Sequence, residues 1–278
     1  MTDIKDMTRE KNIAYAKRML VDIIWKQANI EGINVTFPDT QTIIDNGVIS
    51  DLLPSDVIAI VNLKRAWYKL LDSVDEPLSL DYIKAIHAEI GHNLVIDSGK
   101  LRNGNVGIAG CKTYQPPVPD EAQTKLTLAK LMGINNPESR AFELYLWLTK
   151  SQLFWDGNKR IAHLIANKVL IENSRGIINI SQEYLAEFNL LLHNYYEYDA
   201  RDPLLSFLQG KAIDGILTTS SSVLSLDDKA KEVRAAAKDR AERTNPNNPK
   251  DDIKRAKAVV SAQSTRQSKH VQKTKKVR

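Results

Sequence analysis

Gln152-Leu153-Phe154-Trp155-Asp156-Gly157-Asn158-Lys159-Arg160 is the stretch on which the reading of this chain turns. An apolar run with Phe142, Leu144, Tyr145, Leu146 and Leu148 leads into it, and a second with Ile161, Leu164, Ile165, Val169 and Leu170 follows. Both have helical spacing. Gly157 and Asn158 tolerate positive φ, so the loop between them opens directly onto a helix N-terminus. Backbone N–H groups there lack intrahelical partners, and the helix dipole favours an anion. Lys159 and Arg160 add positive charge, and Asp156 can hold a Mg²⁺ that bridges phosphates. Together these residue types describe a nucleotide phosphate site. The same residues also suit an ordinary Asp-Gly-Asn turn with a solvated Lys-Arg helix start. The spacing is not that of a P-loop, whose Gly-x-x-x-x-Gly-Lys-Ser/Thr pattern is absent.

Working outward, helical periodicity recurs along most of the chain. It covers about Lys11 to Ala28, with Gly32 as a stop, and Gln41 to Asp45 after the turn at Val35–Thr40. Ser55 and Asp56 are expected to cap a helix through Ile60, Leu63, Trp67 and Leu70, and Ser79 another through Ile83, Ile86 and Ile90. Further helices are predicted over Glu121–Met132, Glu138–Leu148, Arg160–Glu172, Ser181–Tyr196 and Pro203–Leu208. Between Asp97 and Pro119 the pattern changes. Short alternating runs either side of Ala109-Gly110 predict a small hairpin over Asn105–Tyr114, ended by Pro116 and Pro117.

The central stretch resembles the signature of the Fic/Doc family, His-x-Phe-x-Asp/Glu-Gly-Asn-Gly/Lys-Arg, through Phe154, Asp156, Gly157, Asn158, Lys159 and Arg160 in order. Gly99-Lys100-Leu101-Arg102 and Val106-Gly107-Ile108-Ala109-Gly110 are similar to the segment ahead of the motif that forms a flap. Ile30-Glu31-Gly32 is similar to the end of an inhibitory helix in one subclass, and Asp202–Leu208 to the closing helix. The resemblance spans roughly Ile13 to Ile216. It implies an all-α fold, a Fic-type helical core with a short β-hairpin flap. It also implies ATP or another NTP with Mg²⁺, and transfer of AMP or phosphate to a protein hydroxyl. Gly157, Asn158, Lys159 and Arg160 would hold phosphates and Asp156 the metal. A protein target would dock on the flap at Val106, Ile108 and Gly110, and an antitoxin-like regulator is a further implied partner.

Three positions depart from the family pattern. Gln152 stands where the family has its histidine base. A carboxamide has no useful proton affinity near neutral pH, so Gln152 either orients a hydroxyl or water, or only packs or caps. Loss of a general base costs about 10²–10⁴ in rate. Lys159 stands where members that transfer AMP have glycine, and the phosphate-transferring Doc branch has lysine. His163 replaces a second arginine, so the inhibitory Glu31 is expected to meet His163. The bland alternatives are a helix histidine and a solvated carboxylate. The chain is thus expected to be either a weakened or altered transferase, or a binding module for a nucleotide or a partner without turnover.

Composition sets the remaining bounds. With 42% hydrophobic and 26% charged residues, the 278-residue chain suits a substantial core. The single cysteine, Cys111, excludes an intrachain disulfide and a multi-cysteine zinc site. No apolar run reaches the roughly 20 residues of a membrane span, and the charged N-terminus is unlike a signal peptide, so a cytoplasmic protein without a membrane partner is expected. The net charge of +5 is uneven: Ser221–Arg278 holds 16 Lys and Arg against 7 Asp and Glu. We therefore divide the chain into N-terminal helices at 1–60 including the inhibitory one, a core at 61–216, and a basic, largely disordered or helical tail at 217–278. Such a tail either is merely solvated or binds nucleic acid without sequence preference.

Overall fold

Ten α-helices and one two-stranded sheet are built around a buried helix in the computed structural model, which describes residues 7–47, 51–215 and the isolated Ala235. The described fold is all-α in class, as expected. The buried helix is α8 (Asn158–Glu172), preceded by α7 (Pro137–Ser151) across the central loop. Every residue of α8 from Arg160 to Ile171 is buried. It packs along α7 and against α1 (Arg9–Arg18), α4 (Pro54–Asp72) and α5 (Leu80–Ile90). A helix enclosed this fully must satisfy its polar side chains internally. Asn167 Oδ1 accepts from the Ile178 N–H at 2.7 Å. Lys168 Nζ donates to the Val74 carbonyl at 3.1 Å and the Glu172 carboxylate at 2.9 Å.

Side-chain caps set several boundaries. Ser79 accepts from the Tyr82 N–H at 3.1 Å to start α5, Asp120 caps α6 (Glu121–Met132), and Asn136 caps α7. Other boundaries differ from expectation. The run from Lys11 to Ala28 is broken at Met19 into α1 and α2 (Leu20–Ile30). Thr36 caps α3 (Phe37–Ile44) with Pro38 in its first turn, which pulls the start ahead of Gln41. Pro54 opens α4, so Ser55 and Asp56 lie inside its first turn and do not cap it. A division at residue 60 would cut α4, on which α2 and α3 pack.

The hairpin expected over Asn105–Tyr114 forms no strand ladder. Its turn is closed by the Cys111 N–H on the Ile108 carbonyl at 3.0 Å. The next two N–H groups, of Lys112 and Thr113, go to the Glu197 carboxylate at 2.7 and 3.1 Å. Donors taken by a carboxylate are not available to a facing strand. Glu197 belongs to α9 (Leu185–Tyr198), which is followed by α10 (Arg201–Phe207) and a π-helical turn at Leu208–Ala212. That turn feeds the sheet, in which β1 (Ile177–Ile178) runs antiparallel to β2 (Ile213–Asp214) with Ile177 opposite Asp214.

The sheet also fastens the N-terminal helices. Asn12 exchanges two hydrogen bonds with the Gly176 backbone, at 2.8 and 3.2 Å. Tyr15 OH donates to Asp214 at 2.7 Å, and Asn179 Nδ2 donates to both Asp22 and Asp214 at 2.9 and 3.1 Å. The described residues from 7 to 215 belong to one compact unit. Apart from Ala235, the basic tail expected at 217–278 lies outside the described residues. Among the described residues no helix is long and apolar enough to cross a membrane.

Candidate functional site

The central loop is held by its own side chains. Asn158, the first residue of α8, reaches back so that Oδ1 accepts from the Phe154 N–H at 3.0 Å and Nδ2 donates to the Phe154 carbonyl at 2.8 Å. Asn158 Nδ2 also donates to Gln152 Oε1 at 3.0 Å, while Gln152 Nε2 donates to the Thr149 carbonyl at 2.6 Å. Both ends of the Gln152 amide are therefore engaged. Gln152 itself has φ +47°, a left-handed conformation that costs a non-glycine residue about 1 kcal/mol or more. Gly157 has φ +77°, and a Cβ there would come within 3.3 Å of Ile90 and 3.4 Å of the His87 ring. The left-handed φ is what favours glycine there, the added contacts being tight but not clashing.

His87, and Arg102, which enters the sequence reading only as part of a resemblance, brace the loop from outside. His87 stacks on Phe154 at 3.7 Å between ring centroids. Its Nδ1 accepts from the Gly99 N–H at 3.0 Å, which leaves the proton on Nε2 to donate to the Asp156 carbonyl at 2.9 Å. Burial holds this imidazole neutral, with its pKa lowered to about 4. Arg102 is buried without a carboxylate partner. Its guanidinium donates to the carbonyls of Gln152 at 2.5 Å, Gly104 at 2.5 Å, Pro116 at 3.2 Å and Pro117 at 2.5 Å. It thus joins both feet of the flap to the residue that opens the loop. Trp155 lies over Gly104, where a Cβ would meet its ring at 2.6 Å.

The N-terminus of α8 opens on a cavity of about 360 Å³. Gln152, Asp156, Asn158 and Lys159 line it from the loop, and Gly107, Ile108 and Ala109 from the flap. Of the three expected docking residues, Ile108 borders the cavity, whereas Val106 and Gly110 are not among its walls. Asn189, Leu192, His193 and Tyr196 of α9 form the far side. Little in the sequence marks these α9 residues, since a helix face reads as core until its neighbour is known.

Glu31, the C-cap of α2, is also part of the wall. Its carboxylate lies 3.8 Å from Lys159 Nζ and 3.7 Å from Arg160 Nε. The expected contact with His163 is not made. His163 is buried one turn further along α8, where its Nε2 donates to the Ile178 carbonyl at 3.0 Å. Burial lowers its pKa to about 4. Positions three apart share a helix face but differ by nearly a turn along the axis, and at that level the neighbour is β1 and not the end of α2.

Arg160 is 6% exposed and binds Asp156 Oδ2 through Nη2 at 2.9 Å. Its Nε and Glu31 Oε1 are both buried with no hydrogen-bond partner. The open Arg160 donor beside a helix N-terminus fits an anionic group at this place, whereas the Glu31 carboxylate opposes one. A Mg²⁺ here would have to draw on that group too. Asp156 is the carboxylate of the loop, and among the described residues no set of three or more His, Cys, Asp or Glu converges as a metal site. Mg²⁺ bound through one carboxylate and substrate phosphates is the usual arrangement.

Residues 77–170 match the Fic/DOC family model. The matched segment contains α5, the flap, α6, α7 and the loop, and most of α8. Among solved structures, the chain is similar to Fic-1 (aa134–508) from C. elegans, with a TM-score of 0.62 and 17% identity over 84% of this chain and 69% of that one. It is similar to a Fic domain containing signaling protein from Bacteroides thetaiotaomicron VPI-5482, at 0.58 and 18% identity over 75% and 88%. A Fic family protein from Desulfovibrio desulfuricans G20 matches at 0.56 and 19% identity, over 72% and 65%. At these identities the likeness is one of fold. No curated protein matches the chain in sequence.

Proposed function

We propose that this chain binds a nucleoside triphosphate at the Fic/DOC loop, that Glu31 restrains the site, and that transfer of AMP or phosphate to a protein hydroxyl is weak because Gln152 stands at the base position. The observation that carries the reading is the α8 N-terminus opening on a cavity lined by Lys159, with the Nε of Arg160, itself not a wall residue, unpartnered next to the wall residue Glu31. Phosphate oxygens would accept from the first N–H groups of α8 and from Lys159 and Arg160, which are strong charge-assisted contacts. Mg²⁺, held by Asp156 together with phosphate oxygens, would neutralise charge developing on the transferred group.

In either transfer the target hydroxyl oxygen forms a bond to phosphorus. AMP transfer breaks the α–β bridge and releases pyrophosphate, and phosphate transfer breaks the β–γ bridge and releases ADP. The hydroxyl proton must go elsewhere, and the Gln152 amide cannot take it. Both ends of that amide are already bonded, which favours the second reading, a binding module without efficient turnover. The flap beside the cavity is where we place a docked protein target.

Calorimetric titration with Mg²⁺ and ATP tests the first step. Label transfer from α- and γ-labelled ATP then separates AMP transfer, phosphate transfer and binding alone. Absence of ATP binding in both the native protein and a Glu31→Gly variant would rule the reading out.

A further inference from the structure

The end of α2 leaves one carbonyl over, and a residue of the loop takes it. Gly32 has φ +83°, and the chain leaves the helix in a Schellman turn. The Ile33 N–H bonds the Ala28 carbonyl at 3.0 Å and the Gly32 N–H bonds the Asn29 carbonyl at 3.0 Å. Neither reaches the carbonyl of Ile30. That carbonyl accepts from Lys159 Nζ at 2.9 Å. The same ammonium lies 3.8 Å from Glu31 Oε1. A cation at a helix C-terminus is stabilised by the dipole as well as by the hydrogen bond.

Arg160 does not provide an equivalent tie. Its Nε stands 3.7 Å from Glu31 and makes no hydrogen bond, while its Nη2 is used by Asp156. The remaining bond from α2 to the loop is the weak one from Gln27 Nε2 to the Arg160 carbonyl, at 3.3 Å. Of the two cations beside Glu31, Lys159 is therefore the one that also hydrogen-bonds the end of α2. It also lines the cavity and keeps 31% of its side chain exposed, so it can swing toward a ligand.

We propose that Lys159 is a latch shared between two anionic partners: without nucleotide it caps α2 and holds Glu31 over the loop, and a polyphosphate in the cavity takes the same ammonium away. Ligand binding and release of the α2 end are then one exchange of a cation. The proposal rests on the reading that the cavity takes a nucleotide. It adds that removing the cation has opposite effects in the two states. It removes a phosphate contact, and it also removes the restraint that opposes binding.

The experiment is a double-mutant cycle with Lys159→Met, which keeps much of the stem and deletes the ammonium, in the native and Glu31→Gly backgrounds. Mg²⁺-ATP affinity is measured by calorimetry. In the Glu31→Gly background the restraint is already weakened, and Lys159→Met should weaken binding roughly tenfold. In the native background the two effects offset, and affinity should change little. Amide exchange at Gly32 and Ile33, followed without nucleotide, should be faster in Lys159→Met than in the native protein. Equal weakening in both backgrounds together with unchanged exchange would overturn the latch. If no variant binds ATP, the nucleotide reading fails, and the exchange rates alone then decide whether Lys159 holds α2.

Discussion

Asn158 Nδ2 donates to Gln152 Oε1 at 3.0 Å, so the residue in the base position and the residue that braces the loop are bonded to each other. With Thr149 on its other end, Gln152 is a structural strut before it is anything chemical. Gln152→His would install a proton acceptor and break this pair of contacts. We expect label transfer from ATP to rise. We expect Tm to fall by about 2–4 °C, the equivalent of roughly 1 kcal/mol in a chain of this size. A variant as inert as the native protein, with the loop intact by amide exchange, would mean that the block on transfer lies outside residue 152.

Arg160 is buried beside the cavity with one guanidinium nitrogen open. Arg160→Ala should reduce Mg²⁺-ATP affinity by about 1.5–3 kcal/mol, the range for a hydrogen bond to a charged group. Calorimetry gives the value directly. Undiminished binding would place the phosphates elsewhere.

Glu31 puts a carboxylate into the wall where phosphate is expected. Glu31→Gly removes like-charge repulsion and frees the cations of Lys159 and Arg160. The affinity for Mg²⁺-ATP should rise about fivefold or more, the lower end of ordinary coupling energies. The His163 titration should not move, because that ring faces Ile178. NMR of the imidazole signals in both proteins checks this.

Stability should fall on acidification through the same two histidines. His87 and His163 are each held neutral by burial, with pKa lowered from 6.5 to about 4. Below pH 6.5 the unfolded chain binds protons at these sites that the folded chain does not. Their contribution is therefore complete above the unfolded value and is lost as pH falls toward the folded one. Between pH 7 and 5 each should cost about 2 kcal/mol. Urea titrations across this range should show the loss, and His163→Asn should remove about half of it.

Much of the fold is legible because apolar residues recur every three to four positions: α5, α6 and the paired helices α7 and α8 lie close to their expected spans. The break at Met19 is not legible, since no glycine or proline marks it and the bend is set by packing of α1 and α2 on different neighbours. The β1–β2 pair is two residues long on each side, too short for an alternating pattern. In the site, Gln152, Asp156, Asn158 and Lys159 line one cavity with Glu31, which only the family resemblance, and not the spacing of the residues, places near the loop. His87 carries no local signature. Its role appears only when α5 is laid against the loop and the ring meets Phe154. His163 was misplaced for a related reason, because a three-residue step along a helix does not say which neighbour fills that face.

Arg102 closes both feet of the flap, at Gly104 and at Pro116–Pro117, onto the backbone of Gln152. Between those feet the segment is held elsewhere, to α9 through Glu197 and to the end of α7 through the Tyr114 OH on the Lys150 carbonyl. Because the Arg102 clamp grips only the two ends, a foreign segment grafted between Gly104 and Pro116 that keeps the contacts with Glu197 and Lys150 is a route to redirecting which protein this site meets.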